Sequence, residues 1–243
     1  MKILVCITHV PDTTSKINFT DNNTKFDPAG VQFIIGPYDD YALARAIEIK
    51  EASGATVTVL NVGLADTEPT IRKALAIGAD DAIRVNAEPA DSFFVAAQIA
   101  EHAKGFDLVL MGRESIDYNS GVVHGIVGEM LGIPSVSPVM KLEIEGNKAK
   151  LAREIEGGKE YLEVNLPFVA GCQEPIAEWK IPNMRGIMSA RTKPLKVVEP
   201  KAVNSGVSLQ KFELPAPKGS VKMISADNVG ELVSLLKNEA KVL

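Results

Sequence analysis

Apolar and polar positions follow two alternating patterns over the first 134 residues. Four short runs, Ile3–Thr8, Thr56–Val62, Ala82–Val85 and Asp107–Met111, are rich in β-branched residues and nearly continuous in apolar character. Strands buried on both faces have that character. Between the runs, apolar residues recur at helical spacing. The first helix is expected from Pro37 to about Ala52, with Asp39 and Asp40 at its positive end and Ala42, Ala46 and Ile49 on one face. The second runs from about Thr67 to Ile77 and stops at Gly78. The third spans Asp91 to Lys104, and the fourth starts near Asn119-Ser120 and ends at Gly132. Alternation of this kind predicts an α/β fold with a doubly wound parallel sheet and helices on both faces.

Two departures from the alternation matter. The stretch from Thr8 to Gly36 is far longer than an ordinary strand-to-helix loop. It holds the turn signal Asp21-Asn22-Asn23 between Lys16–Phe19 and Thr24–Asp27, so a small hairpin is expected there. After Pro134 the pattern becomes strictly alternating. Val139–Ile144, Lys148–Ile155 and Tyr161–Leu166, joined at Glu145-Gly146-Asn147 and Gly157-Gly158, read as a β-meander. Residues 174–194 show little periodicity. Residues 197–219 look like an extended arm, and 225–243 close with a short amphipathic helix carrying Val229, Leu232, Val233 and Leu236.

Composition narrows the class of protein. A net charge of −5 argues against a non-specific nucleic-acid binder. Cys6 and Cys172 are the two cysteines; they form no C-x-x-C pair, and buried reduced thiols are the expectation. The apolar run at Met1–Thr8 is too short for a signal peptide and no window could span a membrane, so a cytoplasmic protein is expected.

Candidate chemistry gathers at one edge of the expected sheet. Gly112 to Gly121 follows a strand and opens a helix, where free amides and the helix dipole can hold a phosphate. The ordinary alternative is Asn119 or Ser120 as a plain N-cap. Gly36-Pro37-Tyr38-Asp39 opens the first helix at the same edge, with the same alternative for Asp39. If strand order reverses between the first and fourth strands, Cys6, the Gly36–Asp39 turn, Asn61-Val62-Gly63 and Gly112 converge at a ligand crevice. No G-x-G-x-x-G, Walker lysine loop or G-x-S-x-G elbow is present. His9, His102 and His124 have no metal spacing, and His124 reads as a packing histidine. The chain offers a place to hold a nucleotide and no machinery to transform one.

The stretch Leu151–Cys172 reads physically as a charged hairpin feeding a buried strand. Its Arg153-Glu154-Ile155-Glu156-Gly157-Gly158-Lys159-Glu160 run, then Leu166-Pro167 and an apolar strand, closely resembles the signature of the beta subunit of electron transfer flavoproteins. Pro37-Tyr38-Asp39, Thr70–Asp80, Asp107–Gly112 leading to Ile116-Asp117, and Ile181-Pro182-Asn183-Met184 resemble that family too, in the same order. The resemblance implies a fold of adenine-nucleotide-binding type with a C-terminal β-meander, recognition loop and extended arm. Residues 1–196 would form the nucleotide domain, with the recognition loop at 172–193, and residues 197–243 an arm and helix on the alpha subunit.

The resemblance also implies the function: a subunit of a heterodimeric electron carrier and not a stand-alone enzyme. An alpha subunit would hold most of a redox-active FAD, and this chain a structural AMP. Electrons would pass from acyl-CoA or other dehydrogenases, as in fatty acid β-oxidation, to a quinone reductase or similar acceptor. The implied AMP site comprises Cys6, Gly36, Pro37, Tyr38, Asp39, Val62, Gly112, Asp117, Asn119, Ser120, Gly121, Val122 and Val123. Partner recognition falls to Ile181, Pro182, Asn183 and Met184, with Ile181 at the position of an anchoring leucine. Gly36 stands where the family usually has Asn, the turn at Asp117–Val123 departs from the family's usual ones, and Arg185-Gly186 looks inserted. Two alternatives stand beside this reading. Some members bind a second FAD in place of AMP and bifurcate electron pairs. A protein of another class, a stand-alone ATP-binding stress or signalling module, would have no need of the tail after Pro134.

Overall fold

A computed structural model describes every residue from Met1 to Leu243. In chain order its elements are β1 (Lys2–Cys6), β2 (His9–Pro11), β3 (Phe19–Thr20), β4 (Lys25–Phe26), β5 (Phe33–Ile35), α1 (Pro37–Ser53), β6 (Thr56–Val62), α2 (Glu68–Ile77), β7 (Asp81–Val85), α3 (Ser92–Ala103), β8 (Leu108–Gly112), α4 (Val123–Leu131), β9 (Ser135–Glu145), β10 (Lys148–Ile155), β11 (Gly158–Asn165), β12 (Phe168–Cys172), α5 (Met184–Ala190), β13 (Leu195–Val198) and α6 (Val229–Asn238). Nine strands form one sheet in the order β11-β10-β9-β12-β8-β1-β6-β7-β13. The order reverses at β1, which pairs in parallel with both β6 and β8. That is the topological switch point the apolar runs called for.

Both faces of the sheet are covered. Alternate residues of β1 divide between two cores: Ile3 and Val5 face the cluster beneath α1 and α2, while Leu4 and Cys6 face the cluster beneath α3 and α4. The period-2 geometry of a strand requires this division. α1 starts with Pro37 in its first turn and Asp39 and Asp40 close behind. It ends at Gly54, whose φ of 71° is left-handed and returns an amide to the Lys50 carbonyl.

The meander joins this same sheet. β9, β10 and β11 pair antiparallel, and β12 returns between β8 and β9, parallel to both. β9 starts at Ser135, immediately after Pro134, and is longer than the Val139–Ile144 run suggests. The outermost strand, β11, carries Glu160 paired with Arg153 at 2.5 Å and Glu163 facing Lys148 at 3.5 Å. Charges of this kind blunt a sheet edge.

Besides the short β2–β5 pair, two elements were not expected. α5 lies in the aperiodic stretch after residue 174, and β13 adds an edge strand parallel to β7. The sheet therefore takes in Val197 and Val198, and the arm leaves it only after Val198. α4 also differs: it starts at Val123, not near Asn119-Ser120. Asn119 and Gly121 have φ of 50° and 61°, which cannot continue a right-handed helix, so an irregular turn comes first. No helix is long and apolar enough to cross a membrane.

Candidate nucleotide site

The insertion after β1 folds back on the sheet before the site begins. β2 pairs with β5, and β3 with β4, the latter around Asp21, Asn22 and Asn23, all with positive φ. This is the expected hairpin. His9 is fixed in it, stacked on Phe33 at 4.3 Å with its Nδ1 2.8 Å from Thr70 Oγ1. It serves packing.

Asp39 is the centre of the crevice. Its Oδ2 accepts from the Thr8 amide at 2.8 Å and the Thr8 hydroxyl at 2.6 Å, and its Oδ1 accepts from the Gly112 amide at 2.7 Å. One buried carboxylate thus ties the end of β1 to the end of β8, the two strands that part at the switch point. It is not a plain N-cap, since α1 has no side-chain cap bond. The close approach explains the glycines. A Cβ on Gly112 would sit 2.7 Å from both Asp39 Oδ1 and Tyr38 Cβ, and one on Gly36 would run into the Thr8 hydroxyl and Asp39. Cys6 and Cys172 are buried free thiols with raised pKa, because burial disfavours the thiolate and Asp39 adds repulsion.

Burial also pushes Asp39 up to about 6, against the lowering by its bonds to Thr8 and Gly112. A carboxyl raised on folding binds its proton more tightly in the folded state. Its contribution to stability is therefore complete below its ordinary value of 3.8 and lost as pH rises through about 6. The stability of the protein relative to its Asp39→Asn variant is expected to fall across that window in urea titrations. A difference that is flat with pH would show that Asp39 stays ionised throughout.

Around this centre, Tyr38 lies under the guanidinium of Arg113, 4.8 Å from the ring centroid. Arg113 also donates to Gln173 at 3.0 Å and Glu114 at 2.9 Å. Asn61, at the end of β6, gives its amide to the Ile7 carbonyl at 3.0 Å. Its buried Oδ1 has no hydrogen-bond partner. Arg84 donates to the Gly63 carbonyl at 3.0 Å and to Asn86 at 2.8 Å. Arg113 was expected only as part of the Gly112–Gly121 run, and Thr8 and Arg84 were not among the expected residues. The signal that could have found the last was a lone arginine inside the apolar run of β7.

The turn 117–122 leaves the end of β8 open to solvent on most of its length. Asp117 Oδ1 accepts from Ser115 at 2.5 Å and from the Tyr118 amide at 2.8 Å. Ser120 meets Ser92 at the start of α3, hydroxyl to hydroxyl, at 3.0 Å. Val122 is the residue before α4, and no side chain caps that helix. The plain N-cap role suggested for Asn119 or Ser120 is therefore not what these residues do. The first amides of α4 lack intrahelical partners and stand free beside the turn. His124 is half-buried, 3.4 Å from Ser135 Oγ, with its pKa lowered by burial.

Beyond Gln173, the stretch that follows β12 runs against α2. Arg72 donates to the carbonyls of Ala190 and Lys193, both at 2.8 Å, and Lys193 donates to Leu75 at 2.8 Å and Ala79 at 2.5 Å. Gly186 lets α5 touch the Ala76 carbonyl, where a Cβ would collide. Asn183 is the N-cap of α5, accepting from the Gly186 amide at 2.8 Å, and Pro182 lines a cavity of about 540 Å³ between the two helices. Ile181 and Met184 point outward, 75% and 74% exposed, beside exposed Trp179 and Met188.

A family model for the electron transfer flavoprotein domain matches residues 24–203. The chain belongs to the electron transfer flavoprotein family. The electron transfer flavoprotein subunit beta of Bacillus subtilis (strain 168) is 35% identical to it over 260 aligned positions, covering the whole of both chains. That of Syntrophomonas wolfei is 37% identical, covering all of this chain and 98% of its own. The caffeyl-CoA reductase-Etf complex subunit CarD of Acetobacterium woodii is 32% identical across 99% of this chain and 98% of its own. The likeness to beta subunits thus runs through the meander, the loop and the arm as well as the nucleotide domain. Membership of this family sets aside the stand-alone ATP-binding module.

Proposed function

We propose that this chain pairs with an alpha subunit that holds most of an FAD, and that it buries a structural AMP where β1 and β8 part. The assembly carries electrons from dehydrogenases of acyl-CoA type to a quinone reductase or similar acceptor, in the cytoplasm. FAD supplies the redox chemistry when bound; the residues of this chain position and enclose. The observation that carries the reading is the crevice itself. The uncapped start of α4 suits a phosphate, and the unpartnered Asn61 Oδ1 suits a donor such as an amino or hydroxyl group. Tyr38 under Arg113 offers a flat surface at its side. Gly36, Pro37, Val62 and the turn from Asp117 to Val123 complete its walls, while Asp39 acts through the backbone it fixes and Cys6 packs beneath it in the core.

The 172–193 stretch serves as the recognition loop, with Ile181 and Met184 facing a dehydrogenase. The arm beyond Phe212 and α6 lie on the alpha subunit, which covers Leu232 and Val233, now 42% and 49% exposed. A second reading, FAD in place of AMP within an electron-bifurcating assembly, draws on the likeness to a chain named as a subunit of a caffeyl-CoA reductase-Etf complex.

The deciding experiment denatures the purified heterodimer and separates the released nucleotides. AMP and FAD in equimolar amounts are expected. FAD in excess of the heterodimer, with no AMP, would establish the second reading. Release of neither nucleotide would overturn both.

A further inference from the structure

The arm does not leave its own chain at once. Beyond β13 it runs back along α3. Gln98, fully buried, clasps both backbone groups of one residue: its Oε1 accepts from the Lys201 amide at 2.7 Å and its Nε2 donates to the Lys201 carbonyl at 3.0 Å. At the start of α3, Asp91 accepts from the amides of Gly206 at 2.7 Å and Val207 at 3.2 Å. The arm then reaches the β3–β4 hairpin. The Phe212 amide donates to the Asn23 carbonyl at 2.7 Å, and the Phe212 ring stacks on Phe19 at 4.6 Å with the planes 3° apart.

One fixed point adjoins the turn before α4, and the other sits on the insertion that follows β1. Asp91 is followed by Ser92, which touches Ser120 in the turn before α4. Phe19 and Asn23 belong to the insertion that leaves the end of β1. The residues between Val207 and Phe212 can span roughly 17 Å when extended, enough to cross the mouth of a nucleotide-sized site.

We propose that residues 201–212 are a strap that closes the nucleotide crevice from its own chain. The Phe19–Phe212 stack is its clasp. The strap rests on the crevice holding an adenine nucleotide, as proposed above. It also divides the arm by role. The part up to Phe212 retains the nucleotide. The part beyond, with Leu214, Val221 and Met223 exposed by 62%, 75% and 84%, remains for the alpha subunit. The insertion hairpin thereby serves as the far anchor.

The test uses the intact heterodimer loaded with labelled AMP and chased with unlabelled AMP. Phe212→Ala and Phe19→Ala are each expected to speed release by roughly two- to tenfold, the range an aromatic stack is worth. The double variant should be no faster than either single one, since both remove the same contact. Phe212→Tyr should restore slow release. In the unmodified heterodimer, saturating AMP should slow tryptic cleavage after Lys211. Release rates unchanged in both alanine variants, or cleavage indifferent to AMP, would overturn the strap and leave the nucleotide site standing. A heterodimer that binds no AMP would remove the site, and the strap with it.

Discussion

Asp39→Ala is expected to unfold the protein at markedly lower urea, with a loss of about 3–5 kcal/mol, and to yield a heterodimer without bound AMP. The variant leaves the Thr8 and Gly112 amides, and the Thr8 hydroxyl, without their acceptor. Buried amides without partners cost far more than an average hydrogen bond contributes. The loss is also topological. Asp39 spans the gap where β1 and β8 diverge, so removing it loosens the crevice floor and the glycine contacts on either side. Asp39→Asn retains the size of the side chain and one acceptor oxygen, and should fall between the two. Full AMP content in Asp39→Ala, with unchanged stability, would mean that the backbone holds this junction unaided.

Ile181→Ala is expected to slow reduction of the heterodimer by its dehydrogenase by about tenfold or more, in the range of an interface anchor. FAD and AMP content should not change. The side chain is 75% exposed, so truncation removes little packing, and folding stability should shift by no more than about 0.5 kcal/mol. The loop beneath it is held independently by Arg72, Lys193 and the Asn183 cap. Loss of flavin in this variant would mean that Ile181 supports the subunit interface; an unchanged rate would place the dehydrogenase contact elsewhere.

The geometry of the crevice was legible in the sequence only in part. The crevice could be placed because strands of continuous apolar residues, joined by helices, leave few topologies, and ligands gather where strand order reverses. What could not be read was how Asp39 is used. An acidic residue in the first turn of a helix suits the dipole wherever it points. Only the folded chain brings Thr8 and Gly112 to its two oxygens. The start of α4 was misplaced because Asn119 and Ser120 have the chemistry of caps, while their actual backbone, with Asn119 at φ 50°, forms a turn ahead of the helix. α5, from Met184 to Ala190, is too short to show a helical period and is held by α2. β13 carries Lys196 between Leu195 and Val197 and becomes a strand because the edge of β7 is free to pair.

By itself, then, the sequence determined the alternation of strands and helices, the hairpin, the meander and the family. Each depends on local periodicity, turn chemistry or ordered motifs along the chain. The tertiary structure alone decided the carboxylate bridge at Asp39, the return of β12 between β8 and β9, the docking of α5 and the path of the arm from Gln98 to Phe19. Each of these joins residues far apart in the chain through a few directed bonds or one packed face. Such contacts leave no period in the sequence, because geometry alone selects the partner.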